Sequence, residues 1–324
     1  MDYQVIATLG PRSQDDAAWQ GMLSAGVSGF RLNTSHLTLE ALHGWLERLA
    51  PFLASQTPLP SLTLDLQGSK WRLGHFEPFT LRRGQRIELV FASETSQPST
   101  LPVPHSDFFH AAALSSAELA LDDARIRLYV ERSAADHLTA RVVQGGRILP
   151  RKGITFLESD YRLEQLNPQD QAVLELTCET TGVCYAISYL RDVKEMSRYR
   201  AMFGSEVYLI AKLERQPALD DLFPIARLAD ELWLCRGDLG AELGPRRMAQ
   251  EVARITQLVK ECSKPVLLAG QVLEHMTRHA TPTRSELCYL YDSLAAGYAG
   301  VVLSDETAVG HYPLEACRVA ALFR

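Results

Sequence analysis

Gly29-Phe30-Arg31-Leu32, the stretch from Leu39 to Leu53, and Leu62-Thr63-Leu64-Asp65 form one complete strand–helix–strand unit. The two short apolar runs are bounded by turn residues, as buried strands are. Between them, Leu42, Leu46, Leu49 and Leu53 recur on one helical stripe. The rhythm extends in both directions. Val5-Ile6-Ala7-Thr8 reads as a strand, and Ser13 opens a helix with Asp15 and Asp16 in its first turn. Trp19, Met22 and Leu23 give that helix its apolar face and Gly26 stops it. After Gly153 the expected strands are Cys184–Ile187, Val207–Lys212, Glu231–Arg236, Val266–Leu268 and Gly300–Leu303. Helices follow most of them, for example Asp192–Phe203 and Arg246–Cys262, and the last unit ends over Pro313–Arg324. Three strands before residue 75 and five after residue 153 make eight, so the α/β pattern predicts a closed (β/α)8 TIM barrel.

The rhythm breaks between about His75 and Pro150. Arg86–Phe91, Arg125–Val130 and Leu138–Val143 alternate apolar and polar residues, with Gly84, Gly145 and Gly146 at turns. A small all-β domain inserted in the barrel is predicted, with the barrel over 1–74 and 153–324 and the insertion over 75–152.

The 324 residues are 46% hydrophobic and 22% charged, which suits a globular chain with a large core. This excludes a disordered chain, a fibrous repeat and a disulfide-stapled miniprotein. A formal charge of -6, with no Lys/Arg block, argues against nucleic acid as a partner. No apolar run approaches the ~18 residues of a membrane span. The first residues, Met1-Asp2-Tyr3-Gln4, show neither a basic nor a hydrophobic leader region. The six cysteines form no C-x-x-C pair, which is expected of buried thiols in a reducing cytoplasm.

In such barrels the chemistry sits at the carboxyl ends of the strands. The fifth strand ends in Ala211-Lys212-Leu213-Glu214 and the sixth in Arg236-Gly237-Asp238-Leu239-Gly240. Glu214 and Asp238 at adjacent strand tips suit one hard divalent cation, Mg²⁺, which takes few carboxylates. If the strand stays extended, Lys212 points the same way as Glu214, beside the metal, where it would stabilise a phosphoryl group or an enolate. A plain ion pair at the barrel rim fits Lys212 and Glu214 equally. Gly237, Asp238 and Gly240 suggest a tight turn whose amides approach an anion. His275 and His279 stand four apart in an expected loop, a poor zinc pattern.

Eight motifs together resemble the pyruvate kinase family. Towards the N-terminus they are Thr8-Leu9-Gly10-Pro11, Arg31-Leu32-Asn33-Thr34-Ser35-His36, Leu64-Asp65-Leu66-Gln67-Gly68-Ser69-Lys70-Trp71-Arg72 and Pro150-Arg151-Lys152-Gly153-Ile154. Then come Ala211-Lys212-Leu213-Glu214, Arg236-Gly237-Asp238-Leu239-Gly240-Ala241-Glu242, Pro282-Thr283-Arg284-Ser285-Glu286 and Leu303-Ser304-Asp305-Glu306-Thr307-Ala308-Val309-Gly310. They occur in family order along the whole chain.

The resemblance implies a barrel with a mobile β lid inserted after the third strand, and Mg²⁺-dependent (or Mn²⁺-dependent) phosphoryl transfer from phosphoenolpyruvate to ADP. By position, Glu214 and Asp238 would bind the metal and Lys212 would stabilise the phosphoryl group and enolate. Arg31 would hold the phosphate, and the Gly237 and Asp238 amides the substrate carboxylate. Asn33, Ser35 and Asp65 match the family's monovalent-cation site, His36 and Lys152 its nucleotide contacts, and Arg72 an active-site arginine. Each also has a plainer reading: His36 at a helix start or in the core, Asn33 and Ser35 in turns, Arg31 paired with Asp65.

Four departures from the family pattern matter. Lys70 stands where many relatives have Glu. A fixed ammonium there can replace K⁺, since unit charges ~4 Å apart at an effective dielectric near 20 interact by ~4 kcal/mol. Little or no K⁺ dependence is therefore expected. Gly270, in Ala269-Gly270-Gln271, replaces a family Thr whose hydroxyl contacts substrate, so Gly270 loses a hydrogen bond and leaves space for water or a larger ligand. Restoring the hydroxyl with Gly270→Thr is expected to raise kinase activity if its loss is limiting. Tyr289, Asp292 and Asp305 also differ from relatives, with consequences for subunit contacts or the eighth-strand rim. Finally, the chain stops at Arg324, before the family's C-terminal domain, so no effector-driven activation and a homodimer rather than the family tetramer are expected.

The variants open to this site are hydrolysis, enol protonation, decarboxylation or carbon–carbon chemistry on a related 2-oxoacid. A non-catalytic ligand-binding relative is the rival of another class.

Overall fold

The computed structural model describes residues 1–112, 117–122, 124–157, 166–178, 180 and 182–324. Eight parallel strands close a barrel: β1 (Gln4–Thr8), β2 (Gly29–Asn33), β3 (Ser61–Leu66), β4 (Val183–Ile187), β5 (Leu209–Leu213), β6 (Glu231–Cys235), β7 (Val266–Ala269) and β8 (Gly300–Leu303). Each pairs with its sequence neighbour, and β1 closes on β8 with Gln4 opposite Gly300. Strands buried on both faces read as apolar runs, and for that reason the pattern was visible in the sequence. The side chains inside the barrel include Ile6, Ala186, Ile210, Trp233, Leu267 and Val302. Among the described residues no helix is long and apolar enough to cross a membrane.

The helix of the opening βαβ unit spans Leu39–Ala54, capped by the Thr38 side chain on the Ala41 amide, and buries Leu42, Trp45, Leu46, Leu49 and Leu53. The first helix begins later than expected. Asp15, not Ser13, caps Asp16–Ser24, because Ser13 is buried and its hydroxyl accepts from the Gly10 amide instead. Thr283 and Glu286 form a reciprocal capping box at the start of Arg284–Ala296, which Gly297 ends in the left-handed conformation.

The stretch Arg236–Gly240 corrects an expectation. It forms no tight turn but opens a helix, Arg236–Leu258, broken at Gly244 (φ 71°, ψ 166°) just before Pro245. The helix expected from Arg246 is thus the later part of this element.

The chain forms two compact units, Met1–Gly68 with Leu166–Arg236 and Glu251–Arg324, and Ser69–Gln165 with Gly237–Gln250. The second contains a six-stranded sheet in the order Ile154–Phe156, Glu118–Leu121, Ile126–Ser133, His137–Gln144, Arg86–Val90 and Thr100–Pro102. Phe79–Leu81 pairs separately with Gly146–Ile148. Ile154–Phe156, assigned to the barrel side from the sequence, runs antiparallel to Glu118–Leu121 in this small sheet. The inward positions Ile87, Leu89, Ile126, Leu128, Leu138, Ala140 and Val142 pack with Trp71, Phe108 and Phe156. The Phe108 ring stacks on Phe156 at 5.0 Å and meets Trp71 edge-on at 5.3 Å.

Candidate active site

The carboxyl ends of β1 to β5 bring a buried charge cluster together. Arg31 on β2 and Asp65 on β3 lie on neighbouring strands whose register pairs Arg31 with Thr63 and Asn33 with Asp65. The Arg31 guanidinium donates through Nε (2.7 Å) and approaches through Nη2 (2.6 Å) the same oxygen, Oδ2, of Asp65. Its Nη1 donates to Thr8 Oγ1 at 2.8 Å. The second Asp65 oxygen accepts from Lys212 Nζ (3.1 Å) and Ser188 Oγ (2.9 Å).

Lys212 and Glu214 do point the same way, as an extended strand requires. Lys212 Nζ lies 2.9 Å from Glu214 Oε1 and donates to Ser188 Oγ at 2.8 Å. Glu214 Oε2 accepts from the Tyr189 amide at 2.7 Å. Asp65 and Glu214 retain 1% and 0% exposure, so their charges need these partners. Gly68, at φ 62°, is where the chain leaving β3 passes the segment after β4: a Cβ there would fall 2.0 Å from the Ser188 carbonyl oxygen. Glycine therefore lets the loop carrying Ser188 close on Asp65.

The electrostatics follow from this packing. Burial works to lower the Lys212 pKa, but Asp65 and Glu214 outweigh it and hold the ammonium well above the ordinary lysine value. Burial likewise pushes Asp65 up, and Lys212 and Arg31 more than offset it, keeping the carboxyl below its usual range. Arg31 loses to burial and gains more from Asp65. Arg31, Asp65 and Lys212 are therefore charged at neutral pH.

Other expected residues are placed as follows. Asn33 caps the short turn Thr34–His36, its side chain accepting from the Ser35 amide at 3.2 Å; Ser35 is buried and His36 exposed. Lys152 pairs with Asp122 at 2.7 Å. Arg72 Nη1 donates to the Arg151 carbonyl at 2.9 Å, and the Arg72 amide donates to His105 Nε2 at 3.1 Å. Lys70 pairs with Asp238. Gly237 and Asp238 lie in the first turn of their helix, whose amides are suited to an anion as a helix N-terminus rather than as a turn. The rings of His275 and His279 stack at 3.8 Å, and among the described residues no group of three His, Cys, Asp or Glu could hold a metal ion.

Ser188, Thr8 and the Tyr189 amide are the cluster members that residue-type reasoning missed. Ser188 follows β4 directly, so its position at a strand end was the available signal.

Gly270 has φ 81° and Gln271 φ 53°, two successive left-handed residues. Arg236 holds this turn: Nε and Nη2 donate to the Gly270 carbonyl at 3.0 and 2.6 Å, and Nη2 donates to the Gln271 carbonyl at 2.9 Å. The Tyr289 ring lies 5.0 Å from the same guanidinium, giving that departure from the family pattern a local role. A threonine at 270 therefore meets a backbone penalty as well as a restored hydroxyl. Gly270→Thr is expected to lower stability by about 1–2 kcal/mol in urea denaturation, whatever it does to turnover. Unchanged stability would show that the turn relaxes out of the left-handed region.

An eight-stranded parallel barrel with a cationic and carboxylate cluster at its strand ends defines the class. Residues 2–317 match the family model "Pyruvate kinase, barrel domain", and the chain belongs to the pyruvate kinase family. It is similar to a pyruvate kinase of Agrobacterium vitis, 32% identical over 98% of this chain and 66% of that protein. A pyruvate kinase of Methylorubrum extorquens is 30% identical over 97% of this chain and 66% of that protein. One of Thermococcus litoralis is 28% identical over 98% and 68%. The chain thus spans about two thirds of the length of these curated relatives.

Proposed function

We propose that the chain transfers the phosphoryl group of phosphoenolpyruvate to ADP, with Mg²⁺ (or Mn²⁺) held by Glu214 and Asp238. The supporting observation is the buried Lys212 ammonium, held among Asp65, Glu214 and Ser188 beside the Arg31 guanidinium. The donors fit the metal: carboxylate oxygens are hard ligands, and Mg²⁺ needs few from protein because water and substrate oxygens complete its shell. A bound Mg²⁺ neutralises charge on the phosphoryl and enol oxygens.

The chain's own residues do the rest. Arg31, pinned by Asp65 and Thr8, holds the phosphate. Lys212 stays an ammonium through the physiological range, so it stabilises negative charge and does not act as a base. The Gly237 and Asp238 amides hold the substrate carboxylate. His36 and Lys152 contact the nucleotide, and Arg72 serves as an active-site arginine. A β-phosphate oxygen of ADP attacks phosphorus, the bond to the enol oxygen breaks, and the enolate keeps that electron pair. A proton then joins the methylene carbon to give pyruvate. Asn33, Ser35 and Asp65 correspond to a monovalent-cation site, and with Lys70 where many relatives have Glu the activity runs without K⁺.

Gly270 favours a second reading, in which the missing hydroxyl admits water or another acceptor to the same site. An assay of pyruvate release with and without ADP, in K⁺ and in Na⁺ salts, separates the two. Pyruvate and ATP in equal amounts, strictly ADP-dependent and equal in both salts, is the expected result. Pyruvate without ATP supports the second reading. Phosphoenolpyruvate binding without turnover makes the chain a ligand-binding relative, and strong K⁺ activation removes the role given to Lys70.

A further inference from the structure

Lys70 and Asp238 stand 168 residues apart in sequence, yet the Lys70 Nζ bonds directly to Asp238 Oδ1. Their side chains retain 9% and 17% exposure, so the pair is largely shielded from water. The lysine's course is set by Gly153. A Cβ on residue 153 would lie 2.6 Å from Lys70 Cε and 3.2 Å from Nζ. Gly153 is itself firmly placed: it bridges to Arg72, its carbonyl accepts from the Asp122 amide at 3.1 Å, and the next amide, Ile154, donates to Trp71 O at 3.1 Å. It is absent from the left-handed glycines, so its backbone does not demand glycine. The bare α-carbon is needed because the lysine stem passes over it.

We propose that Lys70, aimed by Gly153, is a latch on Asp238 that sets the protein's affinity for divalent cations. An ammonium on a carboxylate oxygen competes with a metal for the same lone pairs. It also repels the metal's charge, and a shielded site screens that repulsion little. Lys70 and Gly153 act here as positioning residues through Asp238. The inference rests on the reading of Asp238 as a metal ligand.

The test is Mn²⁺ binding, read by the electron paramagnetic resonance of free Mn²⁺, for the wild type and for Lys70→Met, Gly153→Ala, the double variant and Asp238→Ala. Lys70→Met is expected to bind Mn²⁺ about tenfold more tightly. Gly153→Ala moves affinity the same way, because the flexible end of Lys70 is the cheapest neighbour to displace. The double variant binds no tighter than Lys70→Met alone, as coupling through one group requires. Asp238→Ala loses the binding. Should Lys70→Met not fold, Lys70→Gln and Gly153→Ala carry the test. If Lys70 variants bind no tighter while Asp238→Ala loses binding, the latch is overturned and the metal reading stands. Additive effects of Lys70→Met and Gly153→Ala overturn the part given to Gly153. An Asp238→Ala protein that binds as well as wild type overturns the metal reading, and the latch with it.

Discussion

Lys212→Met is expected to remove phosphoryl transfer, to leave Mn²⁺ binding in place, and to cost stability. Lys212 is 7% exposed and touches two carboxylates and a serine hydroxyl, so no solvent stands ready to replace it. Methionine fills a similar volume but brings no charge. Asp65 keeps Arg31, and Glu214 keeps the Tyr189 amide, yet both carboxylates lose a cation inside the protein. Breaking a buried pair from one side typically costs about 3–5 kcal/mol. On the rate, loss of one well-placed charge-stabilising donor typically lowers kcat by about 10²–10³-fold. Urea denaturation reads the first effect and coupled pyruvate release the second, with Mn²⁺ binding as the check that the site survives. Lys212→Arg is not expected to rescue, because a planar fork cannot occupy the space of an ammonium held by three oxygens. A Lys212→Met protein turning over within tenfold of wild type would remove Lys212 from the chemistry and leave it a rim ion pair.

The barrel could be read from the sequence because its strands are apolar on both faces; β8, Gly300–Leu303, matches its expected span residue for residue. The inserted β unit was only half legible. Arg86–Val90, Ile126–Ser133 and His137–Gln144 are long enough to show alternation, whereas three-residue strands such as Thr100–Pro102 and Ile154–Phe156 carry no period. Two glycines near Asp238 suggested a turn, but the helix runs through them and breaks later, at Gly244. In the site, Arg31 and Asp65 came only from the resemblance to the family, whereas Lys212 and Glu214 were visible as charges at a strand tip. Ser188 was not, since a serine after a strand has no pattern, and a main-chain donor such as the Tyr189 amide has no residue type to read. The Lys70–Asp238 contact was invisible for another reason: spacing along a chain says nothing of approach between distant segments.

Asp65→Asn tests the same cluster from its centre and carries a pH signature. Asp65 is 1% exposed and its two oxygens serve Arg31 on one side and Lys212 with Ser188 on the other; its carbonyl also accepts from Thr34 Oγ1 at 2.8 Å. The asparagine keeps the shape and removes the charge, leaving Arg31 and Lys212 as two buried cations near one remaining carboxylate. A stability loss of about 3–5 kcal/mol at neutral pH is expected, together with loss of turnover as Arg31 and Lys212 are freed from their common anchor. In the wild type, Asp65 has a folded-state pKa below its unfolded value of about 3.9, because Lys212 and Arg31 outweigh burial. Its contribution is therefore fully present above that unfolded value and is lost as pH falls through the folded one. Lys212 runs the other way. Its raised pKa gives a contribution present below about pH 10.4 and lost only in stronger alkali. Urea denaturation across the acid range should thus show wild type and Asp65→Asn furthest apart near neutrality and converging as the pH drops, because acid protonates Asp65 in the wild type and removes the charge that the variant already lacks. A gap that holds constant into acid would mean that Asp65 contributes shape rather than charge, and the electrostatic account of how Arg31 and Lys212 are held would fail with it.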